Sequence, residues 1–135
     1  MKKLSQKPEK PKLGDFTTYF TAAAGLYHLL PLVAVIAFKE NAIVFQTWIL
    51  LLILPIFNVA SGFFAGFKFG FCIKLALIYT VLFFPSIIMY YNDVTTIEEL
   101  KTAVASTVVN TAICFIFTAG ANFLGGIIKR LINGV

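Results

Sequence analysis

What most narrows the folds open to this chain is where its charges are missing. No Asp, Glu, Lys or Arg occurs between Asp15 and Lys39, between Glu40 and Lys68, between Lys74 and Asp93, or between Lys101 and Lys129. Each gap is close to the ~20 apolar residues that cross a hydrocarbon core of ~30 Å. Backbone in such a core has no water to bond to, so each run is expected to wind into a helix. The expected fold is therefore all-α: a bundle of four transmembrane helices over residues 16–38, 43–66, 72–91 and 103–128, after a basic tail at residues 1–15. Only 13% of the residues are charged, against roughly a quarter in a soluble domain, and no stretch is left over for a separate soluble domain.

The charges that do occur set the orientation. With both termini inside, only Lys39 and Lys101 of the eleven Lys and Arg residues fall outside, while four of the six acidic residues (Glu40, Asp93, Glu98 and Glu99) do. Basic residues concentrate on the inner side of membrane proteins, so the pattern predicts a multi-pass protein of the cell membrane with both ends cytoplasmic. The net charge of +5 sits between apolar runs and builds no continuous basic face, which favours the lipid bilayer over nucleic acid as its partner. The tail MKKLSQKPEKPKLGD is too polar to form a stable helix alone. The apolar run after it is too long for a cleaved signal segment, and its cluster Ala22, Ala23, Ala24, Gly25 comes too early, so it is expected to be retained.

Within the spans, small and polar residues fall on helical spacings. In span 1, Thr18, Thr21, Gly25 and His28 share a face, read as the side turned to protein, and Pro31 removes the backbone bond toward Tyr27 and loosens the helix. In span 2, Trp48 suits a membrane interface, Pro55 bends the middle, and Asn58 leads into Gly62, Gly66 and Gly70. Glycines four apart make a groove in which a second helix lies close. The turn FKFGF is short enough to force span 3 antiparallel beside span 2. Span 3 carries bulky Tyr79, Phe83 and Phe84, a kinking Pro85 and few small residues, and is read as the most lipid-exposed; Tyr90, Tyr91 and Asn92 mark its outer end. Thr95 with Glu98 and Thr96 with Glu99 match capping boxes, so a helix should start outside and run into span 4. Thr107, Thr111, Cys114, Thr118, Ala121 or Asn122, and Gly125 then line one face of that span, with Asn110 at its border.

Helix packing is thus assigned to Gly25, Gly62, Gly66, Gly70 and Gly125, and a candidate polar intramembrane site to His28, Asn58, Asn110 and Thr118. His28 is the one ionisable group near mid-span, and counted rise puts it at a depth similar to Asn58 and Thr118. With neither a second histidine nor a carboxylate beside His28, the favoured reading of the same residues is interhelical hydrogen bonding with no further role. No embedded carboxylate, nucleophile triad or Gly-rich phosphate loop occurs. Cys72 and Cys114 form neither a CxxC motif nor a disulfide framework, so no catalytic residue, metal or cofactor is expected.

The stretch FNVASGFFAGFKFGF followed by FFPSIIMYYND resembles a set of small four-span membrane proteins of low-GC Gram-positive bacteria. Those proteins combine an Asn, a ladder of glycines, a basic turn and a Phe-Pro-Ser stretch ending in Tyr-Asn. The match covers spans 2 and 3 and the glycines of span 4, and implies architecture, not activity. Small multidrug exporters carry a carboxylate in the first span, where this chain has His28. Fluoride channels place a Thr-rich, Phe-containing stretch in span 3, where this chain has TTYFT in span 1. The expected function is a non-enzymatic membrane module that packs with a second copy, as a homodimer, or with a larger membrane partner through Gly62 and Gly66. The alternative is a small transporter or channel using His28, Asn58 and Thr118.

Overall fold

The computed structural model describes residues 11–87 and 95–134. The first ten residues of the basic tail, the outer boundary at Tyr90, Tyr91 and Asn92, and the first part of the link to span 4 lie outside the described residues. Among the described residues every regular element is helical and no strand occurs. There are three helical runs where four separate helices were expected: Leu13–Phe69, Ile73–Ile87 and Ile97–Asn133. The first and third are long and apolar enough to cross a membrane; the second is a shorter apolar helix.

Winding starts earlier than expected, inside the segment read as tail. Leu13–Phe16 is a 3-10 turn, closed by Asp15, whose carboxylate accepts the Lys12 N–H at 2.8 Å, and by the Thr17 hydroxyl on the Gly14 carbonyl at 2.7 Å. Helix α1 follows (Thr17–Ala24), then a wide π segment (Gly25–Leu29) and α2 (Leu30–Phe38). After a 3-10 turn at Lys39–Asn41 the same sequence of elements repeats: α3 (Ala42–Trp48), a π segment (Ile49–Ile53) and α4 (Leu54–Phe69). Each π segment ends just before a proline, Pro31 or Pro55. A proline ring collides with the carbonyl four residues back, and widening the preceding turn moves that carbonyl aside, so both prolines loosen their helices without breaking them.

Spans 1 and 2 are joined by no loop, yet the first run doubles back. Tyr27 and Asn58 are 31 residues apart, about 46 Å along a straight helix, and still form a side-chain hydrogen bond. The reversal lies at Lys39, where φ is +38°, and Phe38 stacks on Phe45 across it with ring centroids 3.6 Å apart. Helix α4 ends at Gly70, whose φ of +88° is a left-handed value that favours glycine. Helix α5 (Ile73–Ile87) then returns, and α6 (Ile97–Asn133) completes the described chain.

The most extensive contact is between α4 and α6, and α5 packs on α6 next. The interface is as close as backbones can approach. A Cβ on Gly62 would lie 2.7 Å from the Thr118 carbonyl oxygen, and one on Gly66 would strike the Asn122 carbonyl. From the other side, Gly125 abuts the backbone of Phe63 and Phe67, and Gly126 that of Phe71. Gly25 and Gly70 differ from expectation: a Cβ at either would meet no atom within 4 Å, so neither is a packing glycine here.

Two further corrections concern which face is buried. From the first 3-10 turn through α2 the buried stripe is Phe16, Ala23, Tyr27, Pro31 and Ala34, whereas Thr18 and Thr21 are exposed. Helix α5, read as the most lipid-exposed, buries Leu75, Ala76, Tyr79, Phe83 and Ser86. Its aromatic rings form the core that α1 packs on.

Candidate functional site

The polar groups that meet between the helices are centred on Tyr27. Its position follows from the regular spacing of Phe16, Ala23, Tyr27 and Pro31 along the first leg, and its ring is fully buried. Phe57, Tyr79 and Phe83 surround it edge-on, with centroids 6.1, 6.1 and 5.2 Å away, and Phe57 stacks in turn on Tyr79. Such edge contacts fix the ring and leave its hydroxyl at one end of an apolar box. That hydroxyl donates to the side-chain oxygen of Asn58 and lies 3.7 Å from the Cys114 sulfur. Three legs, the first, α4 and α6, therefore join at one phenol.

The four residues assigned to the candidate site separate. Asn58 is buried and engaged by Tyr27. Thr118 is buried, but its hydroxyl donates to the Cys114 carbonyl of its own helix at 2.8 Å. Asn110 likewise donates to the Ser106 carbonyl at 2.8 Å. His28 is partly buried and forms no hydrogen bond among the described residues, so it does not join Asn58 or Thr118. The spacing argument selected His28 for its ionisable ring. The signal that would have found Tyr27 is the aromatic stripe that runs through Phe16 and Phe20.

A second buried polar residue has a larger structural role than its place in the sequence suggested. Asn122 is completely buried; its side-chain nitrogen donates to the Gly62 carbonyl at 3.2 Å, and its oxygen accepts the Cys72 N–H at 2.7 Å. One amide thus ties α6 to α4 and to the turn that starts α5. It also satisfies a backbone N–H at the start of a helix, which has no intrahelical partner. At the same end the Lys129 ammonium donates to the Lys68 carbonyl at 2.6 Å, holding the last turns of α6 and α4 together.

The chemistry available is limited. Among the described residues no three His, Cys, Asp or Glu side chains gather as a metal site would require. Cys72 and Cys114 are both free thiols. The central cluster offers two hydroxyls, an amide and a thiol; Tyr27 meets the amide and the thiol, while Thr118 bonds its own backbone. One atom stands out: the Thr111 hydroxyl, one turn before Cys114, is shut off from solvent and has no hydrogen-bond partner. No protein family, curated protein or solved structure matches the chain.

Proposed function

We propose that the chain is an integral membrane protein of four crossings, over residues 16–38, 43–66, 72–91 and 103–128, with both termini on the inner side. It acts without catalysis, as an accessory or assembly module that packs with a second copy of itself or with a larger membrane partner. Its exposed surface supports the membrane setting: Ile36, Leu51, Val81, Val108 and Ile116 all stand more than 60% exposed, a surface that lipid tolerates and water does not. The resemblance of spans 2 and 3 to small four-span bacterial membrane proteins supports the same architecture.

The observation that carries the assembly role is the uneven cover of α6. From Cys114 onward the helix is gripped, with Cys114, Thr118, Ala121, Asn122, Gly125 and Gly126 all buried. Before Cys114 only Ala103 is buried, although Ser106, Thr107, Asn110 and Thr111 line that half as a polar stripe. Polar side chains inside a bilayer gain by turning toward protein, and among the described residues this stripe is only half-covered, with the buried Thr111 hydroxyl left unbonded. Gly62 and Gly66 are already filled by α6, so the outer half of α6 takes over the partner-facing role first assigned to them. A permeation route through His28, Asn58 and Thr118 draws no such support, since Asn58 and Thr118 are bonded inside the fold.

The test is the size of the complex extracted gently from the native membrane. Replacing Thr107 and Asn110 together with Leu is expected to weaken association by roughly tenfold, at about 0.6 kcal/mol per interhelical polar contact. Leu51→Ala, on another exposed face, should leave it unchanged. An unaltered complex in the Thr107/Asn110 variant overturns the reading.

A further inference from the structure

A cavity of about 480 Å³ opens at the basic end of the molecule, where the last turns of α4 and α6 meet the start of α1. Its polar wall is Lys68, Lys129, Asn133 and Tyr19, its apolar wall Phe64 and Phe67, and among the described residues no carboxylate lines it. We propose that this cavity binds one anionic phospholipid of the inner leaflet, with its phosphate between the Lys68 and Lys129 ammonium groups and an acyl chain laid along Phe64 and Phe67. The inference rests on the membrane orientation proposed above.

The argument is one of charge and of depth. Neither lysine forms an ion pair among the described residues. Lys129 gives one of its three N–H groups to the Lys68 carbonyl, which serves the negative end of α4; that contact holds the ammonium in place and leaves two donors free. Lys68 stands over the Phe69 ring, its nitrogen 5.1 Å from the centroid, and its ammonium has no hydrogen-bond acceptor among the described residues. Two held cations beside an uncharged wall attract a phosphate more strongly than two mobile surface lysines would. The apolar wall lies on the correct side: Phe64 is one helical turn before Lys68, about 6 Å deeper in the bilayer if α4 runs inward, and is 62% exposed. Polar above and aromatic below is the profile of a headgroup joined to its chain. The cavity also falls within the ~300–1,000 Å³ usual for small-molecule sites, and the inner leaflet is where anionic lipids concentrate. A free inorganic phosphate would use the lysines and leave Phe64 and Phe67 idle.

The experiment uses the full chain carrying Trp48→Phe and Phe64→Trp, reconstituted in vesicles containing brominated phosphatidylglycerol or brominated phosphatidylcholine. The anionic lipid is expected to quench the tryptophan at a mole fraction several-fold lower than the zwitterionic one. Adding Lys68→Gln and Lys129→Gln should remove that difference, while adding Lys39→Gln and Lys101→Gln, the same loss of charge at the other end, should keep it. Equal quenching by both lipids, retention of the preference without Lys68 and Lys129, or full competition by millimolar inorganic phosphate overturns the site. Quenching by neither lipid overturns the membrane reading itself, which separates the two failures. The Phe64→Trp comparison needs no lysine change, so it stands even if Lys129→Gln unseats α6.

Discussion

At Gly66 there is no space for one methyl group. The nearest atoms are the backbone of Asn122, which cannot rotate away as a side chain could, so Gly66→Ala must push α6 off α4. Overpacking of this kind costs about 1–3 kcal/mol. Gly25 is the internal control: it has helical φ and ψ and open space around it, so Gly25→Ala should be neutral or stabilise by about 0.4–1 kcal/mol through the unfolded chain. Thermal unfolding of both variants in the same detergent checks the contrast, and equal midpoints would contradict it. Gly62, Gly66 and Gly125 could be read at this scale because absence of a side chain has one main use between helices, but the same rule chose Gly25 and Gly70, which pack against nothing. Tyr27 could not be read this way. The rule that polar residues face protein chose Thr18, Thr21 and His28, but a threonine in a helix can bond to the carbonyl one turn back, as Thr21 does to Thr17 at 3.0 Å. Such a hydroxyl is satisfied by its own backbone, so taken alone it does not fix the buried side.

Helix α6 shows how a local signal sets a long element. Thr96 has extended backbone, its hydroxyl accepts the Glu99 N–H at 3.2 Å, and Glu99 returns to the Thr96 N–H at 2.9 Å. The Thr96–Glu99 spacing was legible in advance; the parallel box of Thr95 with Glu98 was not formed, because Glu99 also takes the Thr95 N–H and hydroxyl, and Glu98 pairs with Lys101 instead. Bonds from the Thr95 and Thr96 backbone hold the Glu99 carboxyl below its ordinary value of 4.5. A carboxylate whose folded value is depressed stabilises fully above the unfolded value and loses that contribution as pH falls through the folded one. The first turn of α6 should therefore be unchanged from neutral pH down to the ordinary carboxylate range and fray only below it. Glu99→Gln should remove that acid dependence, read as amide exchange at Glu98 to Lys101 corrected for intrinsic rate; fraying already at neutral pH would contradict the cap. From this start α6 runs 37 residues, about 56 Å, well beyond a ~30 Å core. Boundaries elsewhere were harder to read. Lys39 to Asn41 reverse the chain as a 3-10 turn that abuts both neighbouring helices, so the expected gap between spans 1 and 2 shrinks to the one residue there whose φ is positive, Lys39. The two π segments leave no mark in composition beyond the prolines that follow them.

For the molecule as a whole, the charge-free runs announced helices and an apolar exterior, since both follow from solvent alone. How the legs are arranged did not follow, because it depends on which aromatic side chains interlock. The proposed orientation yields a direct prediction: a single cysteine placed at Ser5, in a chain with Cys72 and Cys114 replaced by Ala, should react with a membrane-impermeant maleimide only after the cells are opened, whereas one at Thr102 should react in intact cells. Labelling of the Ser5 position from outside would reverse the topology. The amide of Asn122 has a consequence in time as well as in space. The Cys72 N–H that it accepts precedes it by 50 residues, and its Gly62 acceptor by 60. Synthesis delivers those two groups first, so the hairpin they belong to must wait, incompletely bonded, until α6 leaves the ribosome. A truncated chain that stops short of Asn122 is thus expected to be a substrate for quality control, because the hairpin is closed only by a residue made after it.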